Sequence, residues 1–387
     1  MLPLVMKESI EYLKSNSFII NNPTEKSIEL REVAVDYANR TLKQSKVIAI
    51  LLTGSSAAGY SDAGSDIDLD VLIEGETRPL KKITYEGIPI DLQYKSYRDW
   101  KDDCINGGES IRFLTHTVPI YDKTGEFLSF QKEMLKRYYS DDSIKREYER
   151  VKYIVEGRGG LAVAEAKSGQ LIPSAIRTES ALYEVISLLI YRYRGYTATS
   201  LILSELHRIG TELGHSEWFD KAIKYMRFDI TKDEYYELLN IYDELFKIMR
   251  DKISHNADIV KRIRRMKLGL FCAGSQLVEL CSEANYQQLY GKVERAILKS
   301  KEYDAGLSIW FESHYEYFMF APFFYLKNVN GKASGKVVLD TSFNDLFECW
   351  DDDIKRLWLK VYRAHGLTRG LLIDMSNLAS KILSYCT

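Results

Sequence analysis

The chain has 387 residues, 45% of them apolar and 28% charged, which is enough for two or three globular domains with ordinary cores. A formal net charge of −2 argues against the broad basic footprint that gripping a phosphodiester backbone requires, so nucleic acid is disfavoured and small partners are favoured. No stretch reaches the roughly 18 apolar residues of a membrane span. The five cysteines, Cys104, Cys272, Cys281, Cys349 and Cys386, form no Cys-x-x-Cys pair and have no histidine at zinc spacing. They read as reduced, buried thiols in a cytoplasmic protein.

In chain order, the first expected element is a helix from about Lys26 to Leu42, where Ile28, Leu30, Val33, Val35 and Ala38 alternate with charged residues. Val47 to Leu52 is a continuous apolar run, the pattern of a buried strand. It delivers Gly54 and Ser55 into a tight turn, where glycine lets the backbone approach a phosphate and the serine hydroxyl and neighbouring N–H groups can donate to phosphate oxygens. Gly59 and Gly64 keep the following loop permissive.

Asp66 to Ile73 alternates acids with apolar residues, so a strand here would carry Asp66 and Asp68 on one face and hydrophobes on the other. Carboxylates sharing a face suit hard divalent cations, and a site with two such ions about 3.5–4 Å apart can hold both the attacking and the leaving oxygen of a phosphoryl displacement. Asp70 shares that face further along and suits a solvated or supporting role. Gly87 to Tyr94 reads as a further strand carrying a third carboxylate, Asp91, among apolar neighbours, with Lys95 on the same parity. Val118 to Asp122 reads as an edge strand, because Pro119 has no N–H for a central ladder.

Taken together, a hydrophobic strand, Gly54-Ser55, a loop, Asp66-x-Asp68 and a later Asp91 resemble the DNA polymerase β-like nucleotidyltransferase superfamily, and the local form is most similar to its aminoglycoside and lincosamide nucleotidyltransferases. The resemblance spans about the first third of the chain. It implies an α+β fold, with a mixed-sheet catalytic domain over residues 1–130 and a helical substrate-binding domain over 131–387. It also implies that Asp66, Asp68 and Asp91 act in catalysis, that Asp66 and Asp68 bind Mg²⁺ (two ions), that Asp91 is the third metal ligand or helps deprotonate the acceptor, and that Gly54 and Ser55 contact the triphosphate. The implied reaction moves a nucleoside monophosphate, AMP from ATP, onto a hydroxyl of a small molecule such as an antibiotic, with release of pyrophosphate. A protein or tRNA acceptor and an inactive nucleotide-binding module are the alternatives.

Beyond residue 130 the period becomes helical. Thr231-Lys232-Asp233-Glu234 has the form of a capping box ahead of an apolar stripe from Tyr235 to Ile253. Helices are expected from Thr178 to Tyr193, from Asn256 to Cys281 and from Asp345 to Ala364, with Gly366 as a stop. The result would be a large C-terminal helical bundle, with an exposed loop over 328–336, a separate terminal segment from about Glu302 and an apolar helix face able to support a homodimer. Arg177 and Glu179 fit capping or ion pairing at the start of the first of these helices. The basic cluster Lys261 to Lys267 reads as a solvated face, and the aromatic run Trp310 to Phe320 reads as core. His255 and His314 belong to no ligand pattern.

Overall fold

The computed structural model describes residues 2–42, 46–62, 65–78, 80–107, 110–196, 201–227 and 352–387, with isolated positions from 231 to 248. The chain is an α+β protein that divides into two compact units. One comprises Met1–Glu147 with Tyr191–Thr197, and the other Tyr148–Ile190 with Ala198–Thr387.

The first unit is built on a five-stranded mixed sheet. Its strands are β1 (Val47–Thr53), β2 (Ile67–Ile73), β3 (Lys81–Tyr85), β4 (Ile88–Ser96) and β5 (Val118–Asp122), in the spatial order β3-β4-β2-β1-β5. β2 and β4 run parallel, whereas β1 is antiparallel to both β2 and β5, and β3 is antiparallel to β4. The apolar run of β1 is central, with Ala49, Ile50, Leu51 and Leu52 all buried. β5 lies at an edge, as Pro119 requires.

Five helices of this unit precede or follow the strands: α1 (Leu4–Asn16), α2 (Glu25–Tyr37), α3 (Gly54–Ala58), α4 (Tyr97–Ile105) and α5 (Ser110–Phe113); α6 (Phe127–Tyr138) completes it and passes through residue 130. The expected Lys26–Leu42 helix is α2 plus a wider π-helical turn, Ala38–Leu42. Its buried face is Ser27, Leu30, Arg31, Ala34, Val35 and Tyr37, and Ile28 points outward, because the polar residues Ser27 and Arg31 take inward positions. Neither α1 nor β3 was expected. The strands β3 and β4 form a hairpin whose two loop residues, Glu86 and Gly87, both have positive φ (51° and 79°). That backbone matches the twist of the flanking strands.

The second unit is helical among the described residues. It contains α7 (Asp141–Tyr153, which begins in the first unit), α8 (Gly159–Lys167), α9 (Leu171–Arg194, which ends in the first unit), α10 (Ile202–Glu212), α11 (Glu217–Tyr225), α12 (Asp352–Val361) and α13 (Arg369–Leu383). The helix expected to open at Thr178 starts at Leu171, since Pro173 is tolerated in a first turn, where its missing N–H costs nothing. Arg177 and Glu179 therefore lie inside α9. Arg177 pairs with Glu165 at 3.1 Å. Glu179 is fully buried and meets Arg227 at 2.8 Å and the Tyr362 hydroxyl at 3.0 Å. Burial of Glu179 pushes its carboxyl up from the ordinary range, against the pull of Arg227.

The Thr231–Glu234 capping box is formed, with Thr231 N–H donating to Glu234 Oε2 at 2.7 Å and Glu234 N–H to Thr231 Oγ1 at 3.3 Å. Most of the stripe that follows lies outside the described residues. So do the Asn256–Cys281 helix, the basic and aromatic segments, the 328–336 loop, His255, His314, Cys272, Cys281 and Cys349. Cys104 and Cys386 are buried thiols, and burial raises the Cys104 pKa to about 12. No described helix is long and apolar enough to cross a membrane.

Candidate functional site

Two of the three expected acids, Asp68 and Asp91, share a row that reaches the carboxyl end of β1. Thr53 of β1 stands opposite Asp68 of β2, Asp68 is in register with Asp91 of β4, and Asp91 is in register with Lys82 of β3. Residues in register on adjacent strands share a face and lie about 4.8 Å apart. One row across the sheet therefore reads Lys82, Asp91, Asp68, Thr53. Two residues along, Asp70 pairs with Lys95 at 2.7 Å, which assigns both to a supporting ion pair. β2 begins at Ile67, so Asp66 lies one residue ahead of the strand rather than within it. Just before it, Asp62 N–H donates to Ser65 Oγ at 2.9 Å.

Gly54 is indispensable to this row for a steric reason. Its φ is 66°, and a Cβ at this position would fall 2.0 Å from Asp68 Oδ2. The absent side chain is what lets the Asp68 carboxylate lie against the backbone at the end of β1. From Gly54 the chain enters the short helix α3 rather than a simple turn, and it stops at Gly59, with φ 100°. Ser55 Oγ lies 3.1 Å from Ser61 Oγ, so the two hydroxyls close the loop from within.

Two residues of the site escaped the sequence reading. Lys82 Nζ lies 3.3 Å from Asp91 Oδ2, with Lys82 and Asp91 both partly buried. A two-residue loop at Glu86-Gly87 pairs Tyr85 with Ile88 and, counting outward, Lys82 with Asp91; the signal was present in the turn. The other is Arg31 of α2, whose Nε donates to Ser56 O at 2.8 Å and whose Nη2 donates to Ala57 O at 2.6 Å. Burial pulls its guanidinium below the ordinary value, although an arginine stays protonated.

Among the described residues, no group of three or more His, Cys, Asp or Glu side chains is placed to hold one metal ion between them. Magnesium rarely needs such a cage. It is commonly held by one or two carboxylates, with substrate phosphates and water completing the shell. Paired carboxylate oxygens are the donor chemistry for that arrangement, and Asp68 beside Asp91 supplies them.

No protein-family model and no curated protein sequence matches the chain. Among solved structures, the chain is similar to a crystal structure of a nucleotidyltransferase-like protein from Exiguobacterium sibiricum 255-15. The two are 11% identical, the match covers 53% of this chain and 69% of that one, and the TM-score is 0.32.

Proposed function

We propose that the chain transfers a nucleoside monophosphate, AMP from ATP, to a hydroxyl of a small-molecule acceptor such as an antibiotic, with release of pyrophosphate. The observation that carries this reading is the in-register pair Asp68 and Asp91 beside a glycine bend that only glycine can make without displacing Asp68. Alternating acids on a solvated strand would not need that clearance.

In the proposed reaction the acceptor oxygen forms a bond to the α-phosphorus, the bond from that phosphorus to the bridging oxygen of the β-phosphate breaks, and pyrophosphate leaves with the electron pair. Asp91, at the strand position next to Asp68, takes the hydroxyl proton. Asp66 and Asp68 would hold Mg²⁺, with triphosphate oxygens and water completing its shell. When bound, the metal neutralises triphosphate charge and lines up the displacement. Gly54 leaves backbone room for the phosphates, and Ser55 donates its hydroxyl to them. Lys82 fixes the Asp91 carboxylate within the row, and Lys95 does the same for Asp70.

The test is pyrophosphate release and α-phosphate label transfer from each nucleoside triphosphate with Mg²⁺, using a panel of hydroxyl-bearing small molecules and a cell extract as acceptors. Asp68→Asn is expected to lower turnover by about 10³-fold with the fold intact by circular dichroism. Near-normal turnover in that variant would overturn the assignment. Label appearing in protein or RNA, and not in a small-molecule fraction, would move the acceptor to a macromolecule.

A further inference from the structure

The guanidinium of Arg31 is buried, with the residue 5% exposed, yet its hydrogen-bond partners are two main-chain carbonyls and no carboxylate among the described residues. Burying a charge costs several kcal/mol unless it is well paired, so packing alone does not explain an arginine on the inner face of α2. An apolar side chain would fill the space at lower cost. The two carbonyls belong to Ser56 and Ala57, at the end of α3, and a Cβ on Gly59 would lie 3.4 Å from Arg31 Nη2. Arg31 therefore grips the backbone of the same loop that carries Ser55.

The start of α2 holds the far end of that loop. Thr24, the N-cap of α2, donates its hydroxyl to Ser61 O at 2.7 Å, and Ser61 N–H donates to Ser27 Oγ at 2.8 Å. Thr24 N–H donates to Gly59 O at 3.0 Å. Because Thr24 spends its one hydroxyl proton on Ser61 O, the Ser27 hydroxyl donates to Thr24 Oγ1 in the 2.9 Å contact between them. At its end stands the Ser61 hydroxyl, 3.1 Å from that of Ser55. One face of one helix thus sets the shape of residues 54–61 from both ends.

We propose that Arg31 is a positioning residue for the triphosphate: it fixes the 54–61 loop so that Ser55 meets the phosphates, and it places an uncompensated positive charge behind that loop. This rests on the nucleotidyl-transfer reading. Arg31 does not touch the nucleotide; it acts through Ser56, Ala57 and the loop. A cation buried away from water is weakly screened, so its field favours a polyanion on the other side of the loop.

The experiment uses the full chain, with sodium tripolyphosphate as the probe, because it carries the phosphate charge without a base or an acceptor. Calorimetric titration with and without Mg²⁺ is compared for wild type, Arg31→Met and Arg31→Lys, and steady-state kinetics are run with the nucleoside triphosphate. Arg31→Met is expected to weaken tripolyphosphate binding by about tenfold. It should raise the KM for the nucleotide by a similar factor, with kcat within about threefold of wild type. Arg31→Lys keeps the charge but not the two-pronged grip, so it should fall between the two. A purely structural role would instead lower the active fraction, and with it kcat, at constant KM.

Wild-type affinity and KM in both variants, each folded by circular dichroism, would overturn the proposal; if Arg31→Met does not fold, Arg31→Lys with wild-type affinity and KM does so alone. Failure of the wild-type chain to bind tripolyphosphate would overturn the nucleotide reading and this inference with it. Wild-type binding, loss of turnover in Asp68→Asn and unchanged Arg31 variants would overturn this inference alone.

Discussion

Asp68 owes its position to an atom that is missing from its neighbour. Gly54→Ala would put a methyl group 2.0 Å from Asp68 Oδ2 and would hold a non-glycine residue at φ 66°. The clash and the left-handed backbone together are expected to cost about 2–4 kcal/mol. Because relief of the clash must move the Asp68 carboxylate, turnover should fall further than the loss of folded protein explains. Thermal melting alongside pyrophosphate release checks both parts: a variant that melts like wild type and turns over normally would show that Asp68 has room elsewhere. At this scale Gly54, Asp68 and Asp91 were legible in the sequence, since period-two alternation reports which strand residues share a face. Arg31 was not, because a charged residue inside an amphipathic helix looks like part of its solvated side. Only the backbone carbonyls of Ser56 and Ala57, to which no sequence pattern points, give it a partner.

Elements were readable where one rule acted alone. The apolar run of β1 and the Pro119 edge strand stand as read, while β3 was missed because Lys81-Lys82-Ile83-Thr84-Tyr85 has two charges and little apolar signal. What makes β3 a strand is its turn and its pairing with β4. That turn carries strain that can be removed. Glu86 has a φ of 51° and is exposed, a conformation that asparagine or glycine adopts at lower cost at the first loop position of such a hairpin. Glu86→Asn is therefore expected to stabilise the protein by about 0.5–1 kcal/mol. The denaturant midpoint should rise with no change in the slope of the unfolding curve. Since the turn sets the register that brings Lys82 to Asp91, nucleotide turnover should be retained, and a fall in stability would mean that Glu86 makes contacts its exposure does not suggest.

At the scale of the whole molecule, the helical character of the C-terminal part followed from periodicity, but its tertiary partners did not. Glu179, Arg227 and Tyr362 are 48 and 135 residues apart along the chain and meet only on folding. A residue of the sheet unit contributes to stability against acid. His116 is buried beside Phe18 and Phe113, whose rings stand nearly perpendicular to its own, and its pKa is lowered to about 4, first by burial and then by the charge of Arg112. Thr115 Oγ1 donates to Arg112 O, so in its 2.9 Å contact with His116 Nδ1 the histidine donates, and the neutral ring already has the bond it needs there. Protonation would add a buried cation at Nε2. The unfolded chain takes up that proton near pH 6.5, whereas the folded protein does so only near pH 4. The stability contributed by neutral His116 is thus complete above pH 6.5, declines by about 1.4 kcal/mol per unit as the pH falls below it, and is lost by about pH 4, for a total of about 3 kcal/mol. Carboxylates titrate over part of the same range, so the comparison must be with a variant. His116→Gln, less stable than wild type at pH 7, is expected to lose less stability between pH 7 and pH 4.5 in urea unfolding, and the two curves should converge toward acid. Parallel curves would show that His116 takes up its proton equally in both states and would overturn the prediction.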